Sequence, residues 1–421
     1  MEPIDDELKK GLASEPLTRN GFSDALKKRI GERLDEREAK SRRWLPWFSA
    51  VSASLVAASL FLYVGWMNSQ GHLPDVLPGK QEESIAATPA QQTEGQPEVE
   101  IRSAVLIGLR ADHSPIAGVP EYSSYRTLLL AGNQGKLQKV AEGDGILMPY
   151  KTEFMKIVPQ NQTGTTEPSW VLNASVASSS NKLRTAAPRP AVSLKVSEKL
   201  LFAGNRYISV SQTVRKNEQG KEVPYDYVWV KEIQDVVQSP SKLTMQPASE
   251  PHVSLKKLYG DSVQPDLNAV AAGKPLFSNG EAAKVPQDDL GESWAIVRKQ
   301  GQWVPQLALY GSKDAYRYQL SDVSLTLPDS VVSYDRLAVG WNEIRSVRAD
   351  AKDAFSSPRN ELVGIVSDDE IAVYPFDGTM GRKPLATVPL APNESVVMIQ
   401  WAVDEPFIGM WKDSGKKLLS Y

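Results

Sequence analysis

The chain of 421 residues has no cysteine and only three histidines. Without thiols there can be no disulfide framework, no thiolate metal site and no cysteine nucleophile. His72, His113 and His252 lack metal-ligand spacing, and no zinc-protease helix, nucleophile elbow or phosphate loop occurs. The sequence therefore predicts no catalytic residue, no metal and no cofactor, and we expect a protein that is not an enzyme.

An excess of positive charge is also missing. The 48 Lys and Arg residues nearly balance the 51 Asp and Glu residues, and the formal net charge is −3. Nucleic-acid binding depends on a basic surface that neutralises phosphates. We therefore expect no nucleic-acid partner.

Charge is absent altogether from residues 44–67, in a chain that is 24% charged overall. A helix of this length reaches about 36 Å, enough to cross the roughly 30 Å hydrocarbon layer of a bilayer. The 20 residues before the run contain eight Lys or Arg residues and the 20 after it contain only Lys80. Because basic residues stay on the cytoplasmic side, we predict a single-pass cell-membrane protein with a cytoplasmic N-terminus. A cleaved signal peptide is the alternative, but residues 64–67 form no Ala-x-Ala site.

The predicted cytoplasmic segment, residues 1–43, has two short amphipathic patterns. The second places Phe22, Leu26, Ile30 and Leu34 on one face of a helix. Such a stripe can pair with the first helix or bind another protein. The alternative is a frayed basic tail that only sets the topology, because helices this short are marginal alone.

Composition changes again after the span. Residues 68–100 are rich in Pro and Gln and predict a disordered tether. Residues 160–190 are rich in Ser, Thr and Asn and indicate a surface loop, in which Trp170 is the best candidate for an exposed aromatic contact. We expect most other tryptophans beyond the span to lie in the core.

Residues 101–421 are typical of an extracytoplasmic β-rich domain. Short β-branched and aromatic runs alternate with turn residues, and helical periodicity is scarce apart from residues 335–347. A weak internal sequence repeat between residues 136–157 and 384–411 favours a β-propeller-like meander with six or seven blades, with a β-sandwich as the alternative. The predicted strands are 125–131, 145–148, 202–214, 225–233, 293–298, 303–310, 316–320, 362–366, 371–374, 395–401 and 407–411.

Two resemblances add to this prediction. The first rests on residues 124–128 (SYRTL), 148–154 (MPYKTEF), 292–305 (ESWAIVRKQGQWVP), 327–328 (LP), Asp335, 341–344 (WNEI), 350–358 (DAKDAFSSP) and 400–402 (QWA). On these segments the exported part resembles a family of uncharacterised, membrane-anchored envelope proteins of Gram-positive spore-formers, which brings no assigned activity. Residues 21–30, GFSDALKKRI, followed by one span, are similar to the inner segments of transmembrane anti-sigma factors, which implies a sigma factor as cytoplasmic partner.

Two classes of function follow. In the first, the exported domain binds or senses an envelope ligand, and residues 1–43 hold a cytoplasmic regulatory protein. In the second, the protein is a structural envelope scaffold whose inner segment only anchors it in the bilayer. A cell-wall hydrolase is the least favoured alternative, because no catalytic constellation can be assembled from the sequence.

Overall fold

The computed structural model of the chain describes residues 99–116, 121–133, 135–161, 169–177, 195–238, 251–273, 290–310 and 317–419. The predicted cytoplasmic helices with Phe22, Leu26, Ile30 and Leu34, the predicted span and all but the end of the tether lie outside these residues. None of the helices within them is long and apolar enough to cross a membrane.

The described part of the chain is mainly β, as predicted. Its 17 strands form five small antiparallel sheets, fewer than the six or seven blades expected from the sequence. The strands are β1 (Ala104–His113), β2 (Tyr122–Asn133), β3 (Lys136–Asp144), β4 (Ile146–Tyr150), β5 (Glu153–Asn161), β6 (Trp170–Val176), β7 (Lys195–Ala203), β8 (Tyr207–Glu218), β9 (Lys221–Glu232), β10 (Trp294–Lys299), β11 (Gln302–Tyr310), β12 (Tyr318–Asp322), β13 (Asp353–Ser356), β14 (Leu362–Val366), β15 (Glu370–Pro375), β16 (Ala386–Pro389) and β17 (Glu394–Ala402).

The sheets follow one another along the chain. The second to fifth sheets are the meanders β4–β6, β7–β9, β10–β12 and β13–β16, in which each strand pairs with the next. The first sheet has the order β17-β1-β2-β3, so the last strand pairs with the first. Ala104 lies opposite Ala402 and Ala111 opposite Glu394, with a register shift after Gly108. The two ends of the described region are therefore joined in one sheet.

Both faces of β1 are buried over residues 104–109, so this part of its sequence is a continuous apolar run without alternation. Val105, Ile107 and Leu109 belong to one core cluster, which also takes in residues of the third, fourth and fifth sheets. Leu106 belongs to a second cluster that takes in the second sheet. A β-carbon at Gly108 would lie 2.8 Å from the β-carbon of Met398, so this close pairing of β1 and β17 requires glycine.

Within the described residues, five α-helices accompany the sheets. The last is amphipathic: Ile408, Trp411, Gly415 and Leu419 are buried at helical spacing. The predicted strand at 407–411 was therefore wrong, because these residues begin a helix. The helices are α1 (Ile233–Gln238), α2 (Leu255–Tyr259), α3 (Gln264–Ala272), α4 (Trp341–Val347) and α5 (Glu405–Leu419).

Other boundaries also differ. The predicted run 202–214 spans two strands, β7 and β8, separated by a turn at residues 204–206. The predicted helix 335–347 begins only at Trp341, because residues 335–340 form a loop. The region expected to be rich in loops between residues 238 and 290 contains α2 and α3.

The tryptophans follow the prediction that most lie in the core. Trp170 and Trp341 are half-buried, so neither is fully exposed. The buried ones are Trp229, Trp294, Trp303, Trp401 and Trp411.

Candidate functional site

A small cavity, open to solvent, lies where the first, fourth and fifth sheets meet. Its lining includes Arg298, Trp303, Tyr334, Asp335, Arg336 and Trp401. Trp303 and Trp401 are almost fully buried, whereas Tyr334 is 49% exposed. The cavity thus has an apolar floor from the sheets and a polar rim from the loop that follows β12.

Arg298 holds this region together. Its Nε donates to Asp353 Oδ2 at 2.7 Å, and its Nη1 donates to Asp335 Oδ1 at 3.1 Å. Its Nη2 donates to the Ala354 carbonyl, and the guanidinium lies 5.2 Å from the ring centre of Trp303. Because Arg298 on β10 has partners in both β13 and the rim loop, it fixes the geometry of the rim.

The two carboxylates of this cluster have further donors. The Trp303 backbone N–H donates to Asp335 Oδ2 at 2.7 Å, and the Gly301 N–H donates to Asp353 Oδ1. Burial nevertheless raises the pKa of Asp335 above its ordinary value, against the opposing effect of Arg298. Asp335 is therefore a structural acceptor that is costly to ionise where it lies.

The rim loop is pinned on both sides of Tyr334. Asn205 Nδ2 donates to Ser333 Oγ at 2.7 Å and to the Asp329 carbonyl at the same distance. Asp335 is held as described above. Tyr334 itself has a φ of +60°, in the left-handed region that non-glycine residues rarely adopt. The surrounding hydrogen bonds impose this conformation.

A second feature lies at the other end of the first sheet. His113 stacks on Tyr122 with ring centres 4.4 Å apart, and Tyr122 lies 5.8 Å from Trp170. His113 Nε2 is 2.7 Å from Ser124 Oγ. The Trp170 Nε1 is buried without a hydrogen-bond partner among the described residues. We call the three rings the aromatic row.

A charged cluster lies beside the aromatic row. Asp112 accepts from Arg110 Nε at 3.0 Å and from Ser123 Oγ at 2.7 Å. Lys199 Nζ lies 3.1 Å from Asp112 Oδ2 and 3.4 Å from Glu121 Oε1. Burial alone would raise the pKa of Asp112, but these neighbours together lower it below its ordinary value.

The buried Tyr125 links this cluster to the third sheet. Its hydroxyl oxygen accepts from the Leu200 backbone N–H at 3.0 Å, and burial raises its pKa to about 12. Arg110 Nη1 donates to the Leu200 carbonyl at 2.7 Å. Both groups therefore bind the backbone of the same residue of β7 and fix the first sheet against the third.

Trp170, which the sequence placed in a polar loop, is the first residue of β6 and pairs with Asn161. His113 and His252 are both half-buried and partnered, His252 by Glu292 Oε2 at 2.7 Å. In the described residues no group of three or more His, Asp or Glu side chains could hold a metal ion.

The acidic residues 368–370 lie where the chain turns from β14 to β15, and Glu370 begins β15. Their side chains are paired locally: Asp368 with Lys352, and Glu370 with Arg348. No ligand is needed to explain this cluster.

Sequence reasoning missed the Arg298 cavity. Arg298, Asp335 and Asp353 are separated by 37 and 55 residues along the chain. The one available signal was Asp335 itself, an acidic residue in a stretch predicted as helix.

Comparison with models of known protein families, with curated proteins and with solved structures found no match.

Proposed function

We propose that this chain is a single-pass membrane protein whose extracytoplasmic β-domain, residues 101–421, binds a ligand of the cell envelope without catalysing a reaction. The aromatic row carries this proposal, because it puts Tyr122 and Trp170 beside a charged cluster at one end of the first sheet. Aromatic faces next to charged and hydroxyl groups suit a polyhydroxylated ligand such as an envelope glycan.

The strand order supports a finer proposal for the architecture. Five consecutive antiparallel sheets, the first completed by the last strand, are what a five-bladed β-propeller closed by its terminal strand would contain. Both faces of the first sheet pack against other sheets, as blades do. In this architecture the aromatic row lies on one end of the blades, where loops and strand ends bind ligands.

Binding by the aromatic row can be tested with the full chain in lipid nanodiscs and purified cell-wall glycan strands. We expect Trp170→Ala to weaken binding at least tenfold. Trp341→Ala is the matched control, because Trp341 is also half-buried but lies on α4. Equal binding by both variants, or no binding by the parent protein, would overturn the proposal.

The inner segment supports a second part of the proposal. The apolar stripe of Phe22, Leu26, Ile30 and Leu34 fits a cytoplasmic regulatory protein, for which the anti-sigma resemblance suggests a sigma factor. We expect photo-crosslinking from position 26 in cells to capture one such regulator, and Leu26→Asp with Ile30→Asp to abolish capture. Crosslinks to lipid alone would leave the scaffold function, in which residues 1–43 serve only as an anchor.

A further inference from the structure

We propose that β1 is a tension-bearing strand: it joins the aromatic row to the predicted tether, so that a pull between an envelope glycan and the bilayer runs along its backbone and leaves the β-domain folded. This inference rests on the proposed function, which supplies a glycan at one end of the strand and a membrane span beyond the other. It adds a mechanical role that ligand binding alone does not require.

The first argument is the position of the two attachment points. Residues 101–103 follow the predicted tether and lead directly into Ala104, the first residue of β1. His113, the last residue of β1, belongs to the aromatic row. The strand of 10 residues puts these two points about 30 Å apart. Ligand and tether therefore attach at opposite ends of one strand.

The second argument is that a β-strand is already almost fully extended. Its residues rise about 3.3 Å each, and an extended chain reaches at most about 3.6 Å per residue. Tension between Ala104 and His113 can therefore lengthen β1 by only about 3 Å. A pull applied at these two points does not have to break the hydrogen bonds of the sheet.

The third argument is that β1 is paired along both edges. β17 pairs with it from Ala104 to Ala111, and β2 pairs with it along its whole length. Hydrogen bonds between antiparallel strands are perpendicular to the strands, so a pull along β1 loads them together, whereas a pull across it breaks them one after another. Tyr122 begins β2 opposite His113, so a ligand held there also loads the β1–β2 pairing as a whole.

The fourth argument is the anchor at the tether end of β1. The Arg102 backbone N–H donates to Glu361 Oε1 at 3.0 Å, and Glu361 is almost fully buried. Ile101 is buried as well, and a β-carbon at Gly132 would lie 2.3 Å from the Ile101 carbonyl oxygen, so this close approach requires glycine. The fold thus holds the chain just before β1, and tension from the tether meets the β-domain at a fixed point.

The test pulls the full chain, in surface-bound nanodiscs, through a DNA handle in an optical trap. Because the chain has no cysteine, one introduced cysteine defines the position of the handle. Ser114→Cys puts the handle just beyond the far end of β1, and Asp404→Cys puts it just beyond β17, which ends opposite Ala104. Both positions are exposed, so both variants are expected to fold, and a circular dichroism melt checks this.

We expect Asp404→Cys to unfold in discrete steps, because this pull separates β1 from β17 pair by pair. Ser114→Cys should show no unfolding step up to about twice that force, because the pull runs along β1. Unfolding of Ser114→Cys below this limit, or no unfolding step from Asp404→Cys, would overturn the proposal.

A bead coated with purified cell-wall glycan strands then replaces the handle on the parent chain. We expect the bead to detach before any unfolding step. Unfolding before detachment would overturn the tension-bearing role of β1. Failure of the bead to attach would instead overturn glycan binding and leave the result with the two handles unaffected, so the two failures are distinguishable.

Discussion

Two arginines, Arg126 and Arg298, each bind a pair of carboxylates, but in different surroundings. Arg126 Nε and Nη2 both lie 2.7 Å from Glu394, and its Nη1 donates to Glu142. Its Nη2 also donates to the Pro389 carbonyl at 2.8 Å. Arg126 thus ties β2 to the last strand of the described chain, whereas Arg298 ties β10 to the rim loop and β13.

The difference lies in the carboxylates. The Glu142 side chain is 30% exposed, and its pKa falls below the ordinary value because Lys139 and Arg126 outweigh its burial. The Asp335 side chain is 16% exposed, and burial raises its pKa in spite of Arg298. The Arg126–Glu142 pair therefore stabilises the fold at neutral pH, whereas the Arg298–Asp335 pair mainly fixes the geometry of the rim loop.

The largest expected effect is that of Arg298→Ala. This change leaves Asp335 and Asp353 buried without their cation, which typically costs about 3–5 kcal/mol. Urea unfolding followed by tryptophan fluorescence measures the loss. A loss smaller than that of Arg126→Ala would contradict the comparison.

Arg126→Ala should have a smaller effect, about 2 kcal/mol, because Glu142 regains water when the arginine is removed. The nearly buried Glu394 accounts for most of the loss. The control is Arg382→Ala, which should stay within about 0.5 kcal/mol of the parent.

A smaller effect of opposite sign is expected at Tyr334, in the loop that Arg298 holds. Tyr334→Gly should raise the free energy of unfolding by up to about 1 kcal/mol, because glycine adopts the left-handed conformation without strain. Tyr334→Ala keeps the β-carbon and should bring no gain. If both variants gain equally, the backbone conformation is not the cause.

The smallest expected effects are changes of the free energy of unfolding with pH, and those due to Glu142 and Asp335 should have opposite signs. Glu142 has a lowered pKa in the folded state, so its contribution is present above pH 4.5 and is lost as the pH falls. Asp335 has a raised pKa, so its contribution grows as the pH falls through that value toward 3.8. On acidification the parent should therefore lose stability relative to Glu142→Gln and gain it relative to Asp335→Asn. If the parent's stability relative to the two variants changed with pH in the same direction, the two carboxylates would lie in equivalent surroundings.

The strands were predictable where β-branched and aromatic residues follow a turn. β14 matches the predicted strand 362–366 at both ends, and β11 begins one residue before the predicted 303–310. The failures have physical reasons. β1, buried on both faces, shows no alternation. The stretch around Trp411 has a β-like composition, but its buried positions recur at helical spacing.

The candidate site was predictable only in part. Trp170 was singled out because a tryptophan in a polar stretch is unusual, and the structure puts it in the aromatic row. Its partners His113 and Tyr122 come from another sheet, so their proximity depends on tertiary packing that no local pattern records. The Arg298 cluster could not be predicted from the sequence for the same reason, since its members come from three separate segments.

The pairing of β17 with β1 also bears on how the chain is made. Ribosomes supply β1 long before β17, so during synthesis one edge of β1 remains without its neighbour. An open strand edge is a template for association with other chains. A product truncated before residue 394 would keep that edge, whereas a chain that contains β17 covers it. The order of strands therefore makes protection of β1 depend on synthesis of β17, and a product that lacks β17 can be distinguished by its uncovered edge.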